Sequence, residues 1–221
     1  MNLWDLRDKK VYDISILLGS EQIEIPLPTE EVNRFSRIEV FRIEDGGPFL
    51  LSNLRLNCHT GTHVDVPLHF IPNEKPIDKY PVQSFILPAI VIDVADEESI
   101  RLPELKDFKI NEGDALLFKT NNSKRGLLRT GIMSDKWVYM SPEAADFCIE
   151  RKVRLVGIDY VAPEKPPLGD DTIHKKLFRH DIMIMENIAL DQVPPGKYTL
   201  ICLPLKIKGA EASPVRAILI S

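Results

Sequence analysis

Three of the chain's five histidines fall within eleven residues, in the run Asn57-Cys58-His59-Thr60-Gly61-Thr62-His63-Val64-Asp65-Val66-Pro67-Leu68-His69-Phe70. His59, His63, Asp65 and His69 are even steps apart, so a strand would put them on one face. It would not make them converge. At about 3.3 Å per residue His59 and His63 would stand about 13 Å apart, whereas ligands of one ion sit about 3 Å from each other. A helix would bring His59 to His63, but Thr60, Thr62, Val64 and Val66 are β-branched, Gly61 weakens it and Pro67 ends it. We therefore expect an irregular bend at Gly61, at the end of a strand over Phe49–Leu56, that folds these groups inward. Three imidazoles and a carboxylate buried without an ion leave a hydrogen-bond problem that a metal solves. Mixed imidazole and carboxylate ligands suit Zn or Mn, with Fe or Ni also compatible, and the lack of a Cys pair argues against a closed structural zinc site. Cys58 beside His59 suggests a Cys–His nucleophile, but neighbours in a strand point to opposite faces.

The elements that must carry these residues are mostly strands. Runs rich in β-branched and aromatic residues, bounded by Gly, Pro, Asn or Asp, predict strands over Val11–Leu17, Arg37–Ile43, Phe49–Leu56, Phe85–Val94, Asp114–Thr120, Leu155–Tyr160, Tyr198–Leu205 and Val215–Ile220. Ser141-Pro142 reads as an N-cap with Pro at the first helical position, opening a helix to about Arg151. A second helix is expected from Asp170-Asp171, where acids open the segment and bases close it, as the macrodipole favours. It carries His174, with His180 as a C-terminal cation. Ile182-Met183-Ile184-Met185 then reads as a short buried strand ending in Glu186, and a buried acid needs a partner. A third short helix is expected near Leu102–Phe108. The Pro-rich loop Ala162–Gly169 is too short to separate domains.

With 28 Lys plus Arg against 33 Asp plus Glu, the formal net charge is -5 and no basic cluster occurs, which argues against nucleic acid or an anionic membrane as partner. A small-molecule substrate is expected instead. The longest uncharged run, Tyr80–Ile92, contains Pro81 and Pro88 and falls short of the roughly 20 apolar residues that a bilayer span needs. The first ten residues hold acids and no apolar block, so no secretory signal is expected. Cys58, Cys148 and Cys202 are odd in number and far apart, read here as reduced thiols of a cytoplasmic protein.

The run His59-Thr60-Gly61-Thr62-His63-Val64-Asp65-Val66-Pro67-Leu68-His69-Phe70 resembles the His-x-Gly-Thr-His-x-Asp-x-Pro-x-His-Phe signature of the cyclase family of metal-dependent hydrolases, which includes bacterial kynurenine formamidase and isatin hydrolase. A second region agrees: His174, Glu186-Asn187 twelve residues on, Val193–Tyr198, and Leu203–Ala217 with its Gly209-Ala210-Glu211-Ala212-Ser213-Pro214. The resemblance implies an α/β chain with a strand-rich, swivelling β/β/α fold, one domain over residues 1–221. It implies that His59, His63 and Asp65 hold one metal, that His174 belongs to a second, that Asp65 and Glu186 bridge the pair, and that His69 is the catalytic acid and base. Two dications about 3.5–4 Å apart repel, so anions between them are required. One or two ions of Zn or Mn per chain are expected.

The expected reaction is hydrolysis of an amide-type C–N bond, in an arylformamide or a small lactam, with the metal polarising the carbonyl and acidifying water. No Gly-x-Ser-x-Gly elbow competes with that reading. The alternatives are a dehydratase or lyase acting on a small hydroxy acid, and a non-catalytic metal-binding module. Kynurenine formamidases usually carry a Trp-Pro-Gly-Asp-like turn ahead of the metal motif, where this chain has Glu24–Thr29. The resemblance also implies a homodimer or homotetramer, with Ile25–Pro28 a candidate for ordering at subunit contacts.

Overall fold

The computed structural model describes residues 7–20, 23, 35–169 and 171–221. The Glu24–Thr29 stretch, including the proposed contact segment Ile25–Pro28, and the Asp170 helix start lie outside them. Thirteen strands occur among the described residues: β1 Val11–Asp13, β2 Ser36–Phe41, β3 Leu51–Arg55, β4 His63–Asp65, β5 Ile86–Asp93, β6 Ser99–Ile100, β7 Ala115–Lys119, β8 Tyr139–Met140, β9 Leu155–Ile158, β10 Met183–Glu186, β11 Gly196–Ile201, β12 Ala212–Pro214 and β13 Ile218–Ile220. Three helices accompany them, α1 Asn121–Lys124, α2 Pro142–Glu150 and α3 Thr172–Phe178. The architecture is α/β. Nine strands form one mixed sheet in the order β1-β13-β11-β5-β7-β9-β10-β4-β12, while β2–β3 and β6–β8 pair separately.

The middle of the sheet, β5-β7-β9-β10, is parallel. A parallel sheet covered on both faces reads as unbroken apolar sequence, and these strands do. Ile90, Ile92, Leu116, Phe118, Val156, Ile158 and Ile184 face one core together with Ala144, Cys148, Ile173 and Leu177 from α2 and α3. Their strand neighbours Val91, Leu117, Leu155, Met183 and Met185 face a second core. That core also takes Val64 of β4, Leu200 of β11 and Leu219 of β13, so strands from opposite ends of the sheet curl around it.

The Ser141 N-cap accepts from the Ala144 N–H, as its sequence predicts. The helix expected at Leu102–Phe108 is instead a single 3-10 turn over Leu102–Glu104. The Glu104 carboxylate accepts from the backbone N–H groups of Ala95, Asp96 and Arg101, and that anchorage outweighs helical propensity. Pairing of the first expected strand stops at Asp13, with Ser15 making an isolated bridge to Ile188. Among the last two, Tyr198–Leu205 is paired over Gly196–Ile201 and Val215–Ile220 over Ile218–Ile220. The three-residue strands β4 and β12 have no signal of their own in the sequence. No helix among the described residues is long and apolar enough to cross a membrane.

Candidate metal centre

The bend expected at Gly61 is present, with φ +68°, a conformation that costs a residue with a Cβ about 1–2 kcal/mol. A Cβ here would also run into Leu18 Cδ2. Asn57 organises the approach: its side-chain oxygen accepts from the His59 N–H at 2.9 Å and from the Thr60 hydroxyl at 3.1 Å. On the far side, the Thr62 hydroxyl donates to Asn187 O at 2.6 Å and the Asn187 amide donates to Gly61 O at 3.2 Å. The turn is thereby tied to the residue that follows Glu186.

Beyond the bend, His63 and Asp65 occupy alternate positions of β4, with Val64 between them in the second core. β4 lies between β10 and β12. Its register sets Glu186 opposite His63 on one side, and Ala212 opposite Asp65 on the other. His69 follows in a 3-10 turn over Pro67–His69, its ring 4.2 Å from that of His59 and 6.0 Å from that of His174. His174 enters from α3, buried beneath Phe70 at 4.9 Å between rings. The structure thus brings all six sequence-predicted residues, His59, His63, Asp65, His69, His174 and Glu186, into one place.

The side chains converge on a shared centre. Asp65 Oδ1 lies 3.1 Å from His59 Nδ1 and 3.4 Å from His63 Nε2. Glu186 reaches His63 Nε2 at 3.3 Å with one oxygen and His174 Nε2 at 3.1 Å with the other. Two triads, His63–Asp65–Glu186 and His59–Asp65–His69, each offer three ligand atoms within 4.8 Å of one another. His69 therefore stands within ligand range of Asp65 and His59, closer to the centre than an acid acting from outside needs to be. Yet His63 Nε2, both Asp65 oxygens, His174 Nε2 and Glu186 Oε1 are buried without a hydrogen-bond partner. Orphaned buried donors and acceptors are costly, and here five point at one spot. An N/O donor set of this kind fits a divalent transition metal.

Three of the imidazoles have their other nitrogen engaged outside the centre. His63 Nδ1 meets Gly61 O at 2.8 Å, and His174 Nδ1 meets the Glu164 carboxylate at 2.8 Å. His59 is turned the other way, Nδ1 inward and Nε2 3.3 Å from Glu211 Oε1. Glu164 and Glu211 are functional neighbours that sequence reasoning missed. Glu164 follows the buried Val161 and Ala162, the same apolar-run-then-acid signal that marks Glu186, but its place in a Pro-rich loop disguises it.

Without an ion, the charges settle among themselves. Burial disfavours a charged His59 or His63, but the Asp65 carboxylate outweighs it and holds them up at about 9 and about 10. Burial likewise opposes charge on Asp65, and the surrounding imidazoles still keep it well below the usual carboxylate range. His69 differs: burial, with the charges on His59 and His174, pushes it down, so it holds a proton less readily than its neighbours. Burial, with Glu211 and Asp65 close by, raises the Cys58 thiol, the opposite of the lowered pKa that marks an activated nucleophile. His180 lies exposed just beyond α3, away from the centre.

A family model described as "Putative cyclase" matches residues 12–165. A kynurenine formamidase of Bacillus cereus is 36% identical over 178 residues, 80% of this chain and 82% of the relative. That of Bacillus anthracis is 33% identical over 216 residues, 97% of this chain and 99% of the relative. Among solved structures, isatin hydrolase A from Labrenzia aggregata, bound to benzyl benzoate, superposes with a TM-score of 0.83 at 27% identity, covering 96% of this chain and 93% of that one.

Proposed function

The chain belongs to the cyclase family, and from that premise we propose that it is a metal-dependent hydrolase cleaving an amide-type C–N bond outside peptides, in an arylformamide or a small lactam. The observation that carries this is the convergence, from β4, β10 and α3, of five buried ligand atoms that make no hydrogen bond. His59, His63, Asp65, His174 and Glu186 would hold one or two ions of Zn or Mn, and Asp65 and Glu186 would supply the negative charge that a pair of ions requires. When bound, such an ion polarises a carbonyl and acidifies water. The chain's own contribution is positional. His69, half-buried beside the centre and with its pKa pushed down by burial, would accept a proton from the attacking water and pass it to the departing nitrogen, help worth about 10²–10⁴-fold. Phe70, packed against the His69 and His174 rings, gives the site an apolar, aromatic side, which favours an aryl substrate.

The test is turnover of a panel of formanilides, lactams and hydroxy acids by protein reconstituted with Zn or Mn. Hydrolysis of formanilides or lactams supports the reading. Dehydration of hydroxy acids alone, or no turnover by metal-loaded protein, overturns it in favour of a lyase or a non-catalytic module.

We propose further that the chain works as a homodimer or homotetramer in the cytoplasm. Three free thiols support a reducing compartment. Support for self-association comes from the β2–β3 hairpin, where Ile38, Val40, Phe41, Ile43, Phe49, Leu50, Leu51 and Leu54 are each 42–63% exposed. Two-stranded hairpins are marginal alone. These residues lie on both faces of the hairpin, and a second copy of the same hairpin matches either face in chemistry.

A further inference from the structure

We propose that Glu164 positions His174 for metal ligation by fixing which nitrogen of its ring carries the proton. The inference rests on the metal-centre reading above and adds a residue to it. Glu164 is 3% exposed. One of its oxygens accepts the backbone N–H of His174 at 2.8 Å, and both lie 2.8 Å from the ring Nδ1. Its own backbone is clamped on either side, since Trp137 Nε1 donates to Glu164 O at 2.8 Å and the Met140 N–H donates to Pro163 O at 2.8 Å. The carboxylate therefore has little freedom to turn away.

An ionised carboxylate accepts hydrogen bonds and cannot donate one. With both Glu164 oxygens 2.8 Å from it, Nδ1 is the nitrogen held as a donor, which leaves Nε2, on the side of Glu186 Oε1 at 3.1 Å and Asp65 Oδ2 at 3.8 Å, as the nitrogen that would face an ion. A carboxylate behind a ligating imidazole also raises its basicity. The other two imidazoles are backed differently, His63 by a neutral carbonyl and His59 by the partly exposed Glu211. Of these three, His174 is the one with a buried carboxylate behind it.

The competing explanation is structural. Asp171, the N-cap of α3, makes no side-chain cap bond, and Glu164 supplies that cap from the loop that precedes α3 through the His174 N–H. Glu164→Gln separates the two roles. Its amide oxygen can still cap α3, while its NH₂, placed 2.8 Å from Nδ1, can donate to it and stabilise the wrong tautomer.

The experiment uses the full chain, stripped of metal and titrated with Co²⁺ and Zn²⁺ against a chromophoric chelator, with ¹⁵N spectra of the histidine rings in the Zn²⁺-loaded protein. We expect Glu164→Gln to unfold cooperatively like the wild type but to bind the ion held by His174 about 10–100-fold more weakly. In the wild type His174 should be protonated at Nδ1 and bound through Nε2, a pattern the variant loses. A Glu164→Gln protein with wild-type affinity and ring spectrum overturns the proposal and makes Glu164 a helix cap only. So does a wild-type spectrum with His174 protonated at Nε2, whether or not any variant folds. Failure of the wild type to take up either metal overturns the metal-centre reading itself and this inference with it.

Discussion

His63 stands directly opposite Glu186 in the β4–β10 ladder, and its Nε2 lies 3.3 Å from Glu186 Oε2. A cross-strand pair of apolar residues here would only knit two strands together. An imidazole and a carboxylate, both buried and with Asp65 two residues on, make the ladder a ligand frame.

That frame predicts a graded response to mutation. His63→Ala should lose metal and activity together. Asp65→Ala should in addition leave three imidazoles facing each other without their main counter-ion, so it should fold poorly unless metal is supplied. Elemental analysis after reconstitution, alongside circular dichroism, checks both; a His63→Ala protein that retains its full metal complement contradicts the frame.

His69→Ala should behave otherwise. Removal of a proton carrier leaves the ion bound and the fold intact, while turnover falls about 10²-fold or more for substrates with poor leaving groups and much less for good ones. His69 also lies within ligand range of His59 and Asp65. Loss of metal in His69→Ala, or equal slowing of every substrate, would show that it ligates or positions.

Gly61→Ala should lower the unfolding free energy by about 2 kcal/mol, from the left-handed backbone penalty plus the displacement of Leu18. Because the same turn aims His59 and His63, metal affinity should fall with it. Calorimetry of the metal-free protein and a chelator competition measure the two effects, and unchanged values in both would mean the bend is dispensable.

Metal-free protein should also show a distinctive pH dependence. His59 at about 9 and His63 at about 10 lie above the roughly 6.5 of an unfolded imidazole. A raised folded-state pKa contributes stability that is fully present below about pH 6.5 and is lost as pH climbs through about 9 to 10. The melting temperature of the metal-free chain should therefore drop between about pH 7 and 10, whereas bound metal replaces those protons and flattens the curve. Equal melting of the metal-free protein at both pH values would refute this.

Self-association should depend on the β2–β3 hairpin. Ile38 and Leu54 occupy opposite faces of it, because Ile38 pairs with Asn53 and Leu54 with Arg37. Sedimentation at micromolar concentration should give a dimer or tetramer for the wild type and the 25.1 kDa chain for Ile38→Asp combined with Leu54→Asp. A wild-type monomer, or a variant that still assembles, rules the hairpin out as the contact.

The residues of the centre were legible in the sequence because a metal site needs rare side-chain types close together, and the run from His59 to His69 supplies them at spacings that few structural purposes require. The parallel strands were legible too, as apolar runs bounded by turn residues, and so was the Ser141-Pro142 start of α2. What chain order could not show is which neighbours outside the centre hold its side chains in place. β4 is three residues long, too short for any periodic signal, and becomes a strand only because β10 and β12 offer ladders on both sides. Glu164 and Glu211 acquire their roles through hydrogen bonds to His174 and His59, from positions whose local sequence says only loop. The Leu102–Phe108 helix failed for the same reason, since the Glu104 carboxylate found three backbone donors in and around the preceding loop. Ligand identity is a property of side-chain chemistry and is written along the chain. Ligand orientation depends on contacts between segments far apart in sequence, and those exist only once the sheet has closed around its core.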